Sequence, residues 1–393
     1  MSQTIYLDNH ATTACDPLVV ADMLPFFTQI YGNASSAHQF GFEANEAVNL
    51  ARSRVANLIG AQAEEIIFTS GATESNNLAI LGSAIKHQQI GGKRKRIITT
   101  SIEHKSVLAP FQYLADLDWE VILLPVDKLG TVRLDIAERL INEDTLLVSI
   151  QAANSEIGTI QPITTIARMA HQVGALLHCD AAQAVGKIPL SVVEWDVDLL
   201  SVSGHKLHGP KGVGALYIRG GTDQLPLSPL IRGGSQEQGL RAGTLPVPLL
   251  VGFGKACELS QDDLPDHSQW MSTLRDQLET NLLKNIGPLR VNGNVSNRLP
   301  NNTNITFFEI EADMLMACLP DIVLSTGSAC ESGSMEPSNV LINIGMDYEE
   351  CFCTIRFGLS RYTSFEEINR VTQTIASAWR SLAPSNVNSV NGL

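Results

Sequence analysis

From residue 65 to residue 218 the chain alternates short apolar runs with stretches of helical periodicity, and few folds accept that order. Strands are expected over 65–68, 97–100, 120–124, 146–150, 175–179 and 198–202, with helical segments between most of them. Upstream, Ala44, Val48, Ala51, Val55 and Leu58 mark one buried helix face, and Gly60 stands where that helix should stop. Strand and helix in turn imply an α/β protein with a large, mostly parallel mixed sheet covered on both faces.

Past residue 247 the pattern changes. Helices are expected over 248–259 and 268–286 with no strand between them, and the acidic, polar stretch 260–267 is the expected domain boundary. Strands near 304–308, 322–324 and 354–359 and a helix over 365–382 suit a smaller α+β domain. The expected division is a large domain over 15–260 and a small one over 1–14 plus 261–382, with a disordered tail from 383. Residues 8–16 are polar and small enough to cross a cleft as extended chain.

Charge narrows the range of partners. With 27 basic and 41 acidic residues the net charge is −14, which disfavours a nucleic-acid surface and makes the 93–96 basic cluster a solvated turn. No apolar run reaches membrane-spanning length and the amino terminus lacks a leader pattern, so a soluble, cytoplasmic protein is expected, with no membrane partner. Seven cysteines without regular spacing argue for reduced thiols. Cys179 and Cys318 lie in apolar runs and read as structural; Cys351 and Cys353 would share one strand face, but a metal there lacks two further ligands.

Three stretches carry chemistry. Residues 201–214 form a tight connection between two apolar runs, and Lys206 lies in it beside His205 and near Ser203. A lysine at the mouth of a sheet, desolvated and flanked by positive charge, becomes nucleophilic; Lys206 and Lys211 read equally as solvated loop lysines. Ser70-Gly71-Ala72-Thr73-Glu74-Ser75 lies where a strand turns into a helix, a natural anion cradle or a plain helix cap. It lacks the Gly-Lys-Ser/Thr ending of a triphosphate loop. Asp180 closes a buried strand, where an ionised carboxylate needs a cationic partner, or else it caps the next segment. Lysine, carboxylate and anion cradle together fit pyridoxal phosphate, whose Schiff base, ring nitrogen and phosphate need those three groups.

Tyr6-Leu7-Asp8-Asn9-His10-Ala11-Thr12-Thr13, Gly71-Ala72-Thr73-Glu74-Ser75, Glu103-His104, Asp180-Ala-Ala-Gln183, Ser203-Gly-His205-Lys206 and Gly327-Ser-Ala-Cys330 occur in this order over most of the chain. The set resembles the cysteine desulfurases of the IscS and NifS type. The resemblance implies a homodimeric, fold-type I pyridoxal 5'-phosphate enzyme that converts L-cysteine to L-alanine and passes the sulfur, as a persulfide on Cys330, to an acceptor such as an iron-sulfur scaffold. It assigns Lys206 to the Schiff base, Asp180 to the ring nitrogen and Gln183 to the phenolic oxygen. Ala72, Thr73, Ser203 and His205 would hold the phosphate, with Thr244 of a second subunit. His104 would stack on the ring and move protons, and Arg356 would clamp the substrate carboxylate, with Asn33 nearby. Cys330 sits in a Gly- and Ser-rich segment, 327–340, suited to motion, and could serve at most as a transient [2Fe-2S] ligand shared with a partner.

Three positions depart from the family pattern. Ser155 replaces the second of two asparagines, so the contact with the phenolic oxygen or the substrate weakens, runs through water or passes to Asn154. Glu331 adds a negative charge beside Cys330, which should raise the thiol pKa. Gln238 stands where an arginine is usual. Two other readings remain: an enzyme of the same fold that needs no loop thiol, such as a selenocysteine lyase or an aminotransferase-like enzyme, and a docking scaffold with weakened catalysis.

Overall fold

The computed structural model describes residues 4–326 and 336–382. A two-residue strand, β1 (Ile5–Tyr6), opens the chain. The expected alternation becomes β2 (Ile66–Thr69), β3 (Arg96–Thr100), β4 (Glu120–Leu124), β5 (Thr145–Gln151), β6 (Leu176–Asp180), β7 (Leu199–Ser203) and β8 (Gly214–Ile218). They form one sheet in the spatial order β2-β8-β7-β6-β5-β3-β4. From β7 to β4 every pairing is parallel, and β8 runs antiparallel to both its neighbours.

Successive residues of a strand point to opposite faces, so each strand feeds two cores. Ile66, Phe68, Ile98, Val148 and Leu200 join Ala44, Val48, Val55 and Phe253 of the helices Gln39–Ile59 and Val247–Asp262. Ile67, Ile97, Leu147 and Leu199 join Leu78, Val107 and Phe111 of the helices Ala72–Gln89 and Lys105–Ala115 on the other face. The first helix pair packs so closely that a Cβ on Gly254 would lie 2.6 Å from Ala51 Cα, which only glycine avoids.

The remaining strands are β9 (Leu289–Val291), β10 (Asn302–Phe307), β11 (Ile322–Val323) and β12 (Thr354–Gly358). A three-stranded antiparallel sheet has the order β12-β10-β9, and β1 pairs in parallel with β11. Their core joins Ile5 and Leu7 to Leu274, Leu278, Phe307, Phe357, Val371 and Ile375, so the first residues of the chain pack with the last third of it.

Three sequence expectations are corrected, and the stretch expected to hold the domain boundary takes helical form. Residues 260–267 are helical: Val247–Asp262 and Leu264–Asn285 are separated by Asp263 alone, because Pro265 is tolerated in the first turn of the second helix. Cys351 lies in the helix Tyr348–Phe352 and Cys353 caps it, so the two do not share a strand face. Cys318 is exposed, beyond the end of the helix Ala312–Ala317. In the 93–96 cluster, Arg94 donates to the carbonyls of Thr145, Val173 and Gly174, and Arg96 to Glu120, so these side chains pin the ends of elements. The expectations for Cys330, Glu331 and the 383–393 tail lie outside the described residues.

Candidate active site

The strands β2, β5, β6 and β7 end at Thr69, Gln151, Asp180 and Ser203, on the edge where open α/β sheets bind ligands. A cavity of about 500 Å³ opens there, lined by Ala72, Thr73, His104, Ser155, Asp180, Gln183, Ser203, His205 and Lys206.

One wall is the turn from β2 into the helix Ala72–Gln89. Glu74 holds it by accepting from the Ser70 amide at 2.7 Å while pairing with Arg241 at 3.0 Å. Gly214, at the start of β8, passes so near that a Cβ on it would sit 2.6 Å from Gly71 Cα. The first-turn amides of the helix, with Ser203 and His205 lining the same cavity, make an anion cradle.

Asp180 is buried at the end of β6. One oxygen accepts from Asn76 Nδ2 at 2.8 Å and the other from the Ala182 amide at 3.0 Å. Asn76 also donates to Ser106 Oγ at 2.8 Å, and Ser106 in turn contacts His104 Nδ1 at 2.7 Å. Because the Ser106 amide donates to His104 Nδ1, the neutral imidazole carries its proton on Nε2. Burial lowers the His104 pKa, and Asp180 opposes that shift. His205 is pushed down to about 4 by burial and by Lys206, Lys211 and Lys187, so it is neutral at pH 7. Its Nδ1 contacts Thr12 Oγ1 at 3.0 Å.

Lys206 stands in the single turn Gly204–Lys206 between β7 and β8. Residues 8–16 cross in front of it, as their composition suggested. Lys206 Nζ donates to the carbonyls of His10 and, at 2.8 Å, Ala11; Thr13 Oγ1 donates to the His205 carbonyl at 2.9 Å. His10 is 1% exposed and links distant parts of the chain: its Nδ1 contacts Gln183 Oε1 and its Nε2 contacts Asn302 Nδ2, both at 3.0 Å. Gln183 also donates to the His10 carbonyl and accepts from Lys187 Nζ, both at 3.0 Å.

A second cavity, of about 850 Å³, shares Ala11, His104, Ser155, Gln183 and Lys206 with the first. Arg356 of β12 lines it, pairing with Asp8 at 2.7 Å and donating to the Ser155 carbonyl at 3.2 Å. Glu103 lines it too; burial raises its pKa to about 8, so it holds a proton at neutral pH.

The structure does not bring every expected residue to these cavities. Asn154 is buried, with Oδ1 accepting from the amides of Glu156 and Ile157 and Nδ2 donating to the Ile102 carbonyl, so it builds the turn that presents Ser155. Asn33 accepts from the Ser35 amide and lines neither cavity. Thr244 is exposed and lines neither cavity. Gln238 bonds to Thr222 Oγ1 at 2.6 Å and to the Glu64 carbonyl at 3.0 Å. Sequence reasoning missed Asn76, His10 and Lys187 as working parts. Two left a signal: an asparagine inside a helix, a poor position for it, and a lysine inside the apolar run 184–188.

The residues present fit pyridoxal phosphate: an anion cradle, a buried carboxylate and a primary amine line one cavity. Residues 5–371 match the family model for class-V aminotransferases. The chain is 47% identical to the mitochondrial cysteine desulfurase of Arthroderma benhamiae, over 95% of this chain and 74% of that protein. It is 45% identical to the cysteine desulfurase IscS of Rickettsia typhi, over 95% and 90% respectively. A solved NifS-like protein superposes with a TM-score of 0.89 at 38% identity, covering 97% of this chain and all of that one. The chain therefore belongs to the class-V aminotransferase family, in which its relatives are cysteine desulfurases.

Proposed function

We infer that the chain is a pyridoxal-phosphate-dependent cysteine desulfurase, releasing L-alanine from L-cysteine and passing the sulfur towards iron-sulfur assembly or another relay. The convergence of Lys206, Asp180 and the first turn of the helix Ala72–Gln89 on one cavity carries this conclusion. When bound, the cofactor supplies an electron sink for charge developing on the substrate α-carbon.

The chain's own residues do the rest. Ala72, Thr73, Ser203 and His205 would hold the phosphate, with Thr244 contributed by a second copy, which would make the working form a homodimer. Asp180, oriented by Asn76, would hold the ring nitrogen in its protonated form, and the second hydrogen on Gln183 Nε2, whose first goes to the His10 carbonyl, would serve the phenolic oxygen. Arg356 exchanges its Asp8 partner for the substrate carboxylate. The Lys206 amine takes the α-proton and returns a proton to carbon, with His104 Nε2 as the second donor. The Cys330 thiolate attacks the substrate sulfur: the new S–S bond forms as the substrate C–S bond breaks, leaving a persulfide and, after protonation, alanine. The large domain, 15–260, holds the cofactor, and 1–14 with 261–382 supplies Arg356 and Cys330. Among the described residues no helix is long and apolar enough to cross a membrane, and we place the enzyme in the cytoplasm.

Adding L-cysteine should perturb a visible absorbance band, and borohydride reduction followed by peptide mapping should find the modified residue at Lys206. Modification at Lys187 or Lys211 instead would overturn the assignment. A Cys330→Ala protein that still delivered sulfur at the wild-type rate would remove the thiol step and favour the lyase reading.

A further inference from the structure

Lys187 has no part in the chemistry above, yet it is 6% exposed and follows Ala184 and Val185, which are buried in the core. Its ammonium donates to Gln183 Oε1, and Gln183 donates to the same His10 carbonyl that accepts from Lys206. One amide and one carbonyl therefore connect the two lysines. Both also line a chamber of about 30 Å³, room for a single water-sized group.

The chamber is rich in donors, and Arg361 is a third cation beside the two lysines, while burial favours the neutral form of the histidines that line it. His208, His267 and Arg361 line it with Asn9, Thr13, Asn301 and Ser360, and among the described residues no carboxylate does. The nearby Asp16 is held by Arg361 at 2.6 Å and by Tyr362. The charged and titratable groups around Lys187 are thus Lys206 and His205 of the β7–β8 turn, His208 beyond it, His10 of the amino-terminal segment, His267 of the helix Leu264–Asn285, and Arg361. A buried ammonium with cations around it and a neutral amide as acceptor is poorly compensated.

We propose that Lys187 is a positioning residue for the reaction: it braces the Gln183–His10 frame that carries the Lys206 amine, and its charge sets the proton affinity of the nitrogen at Lys206. The proposal rests on Lys206 being the lysine that bears the cofactor. Burial first, and the Lys206 charge second, push the Lys187 pKa down to about 7, so the brace itself titrates near neutrality. The influence is mutual. A positive Lys187 makes a proton at Lys206 costlier, so removing that charge makes the Lys206 nitrogen easier to protonate.

The test is a pH titration of the visible absorbance of the cofactor-loaded protein, together with steady-state alanine release. Lys187→Gln keeps an N–H for Gln183 but drops the charge, and Lys187→Met drops both. Both variants should raise the absorbance midpoint by about half a pH unit or more. Lys187→Met should in addition lower kcat about tenfold with little change in KM, because the frame is lost. A Lys187→Gln midpoint equal to that of the wild type overturns the proposal, whether or not the Met variant folds, and so do variants that differ from the wild type in thermal stability alone. If the wild-type band does not map to Lys206, the cofactor assignment falls and this proposal with it, so the two failures are distinguishable.

Discussion

The cofactor face and the strap in front of it are built in opposite ways. Thr73, Asp180, Ser203 and Lys206 stand at the first turn of a helix, the ends of two strands and a single turn, so local backbone geometry aims each of them. The strap, residues 8–16, is held by partners from the far end of the chain: Asp8 by Arg356, His10 by Asn302 and Asp16 by Arg361, each pair nearly three hundred or more residues apart. Such contacts form only after the whole chain has closed, because loop-closure entropy is lost before they reward it. Chemistry is thus set by short-range structure, and closure of the pocket by long-range pairs.

Breaking a member of each group should therefore produce different losses. Asp180→Asn removes charge at the position proposed to face the ring nitrogen while keeping its approximate shape. It should cut alanine release by about a hundredfold or more, with the urea midpoint close to that of the wild type. A fall in stability as large as the fall in rate would show that Asp180 is mainly a structural anchor for Asn76. Asp16→Ala should behave in the reverse sense. Asp16 is 4% exposed and receives Arg361, Tyr362 and the Leu18 amide, so its loss leaves the Arg361 guanidinium without its carboxylate and with Tyr362 Oη at 3.3 Å as its remaining polar partner. The expected cost is about 3–5 kcal/mol in urea unfolding, with a smaller effect on turnover of the protein that remains folded. A loss under about 1 kcal/mol would mean that the strap is held chiefly by its backbone hydrogen bonds.

The same division explains what could be read from the sequence. The strands, and the places of the 70–75 turn, Asp180 and Lys206 at the ends of elements, were legible because period-two and period-3.6 patterns reveal where a local element ends. Arg356 and His104 were assigned through the family resemblance, since neither an arginine in a short strand nor a histidine at a helix start announces a partner. The long-range links were not legible: nothing in Asn9-His10-Ala11 says that His10 bonds Asn302 and Gln183, because that pairing depends on how the two sheets meet. The two helix ends that meet at Asp263 were hidden by composition, since acidic and polar residues on surface helices resemble those of a linker.

A long-range link on the surface offers the finest test. Gln238 reaches back to Glu64, 174 residues away, and also bonds Thr222, but it adopts φ 57° and ψ 27°, a left-handed conformation that costs a side-chain-bearing residue about 1 kcal/mol. Gln238→Ala loses both hydrogen bonds and keeps the strain, so it should destabilise by about 1 kcal/mol. Gln238→Gly loses the same bonds but relieves the strain, so it should lie within about 0.5 kcal/mol of the wild type. The order of the two variants in thermal unfolding is the readout. Alanine more stable than glycine would mean that the backbone at 238 is not held left-handed in solution. Equal losses would mean that the strain relieved by glycine is cancelled by the extra conformational entropy glycine has in the unfolded chain, and their common size would then measure the links to Glu64 and Thr222.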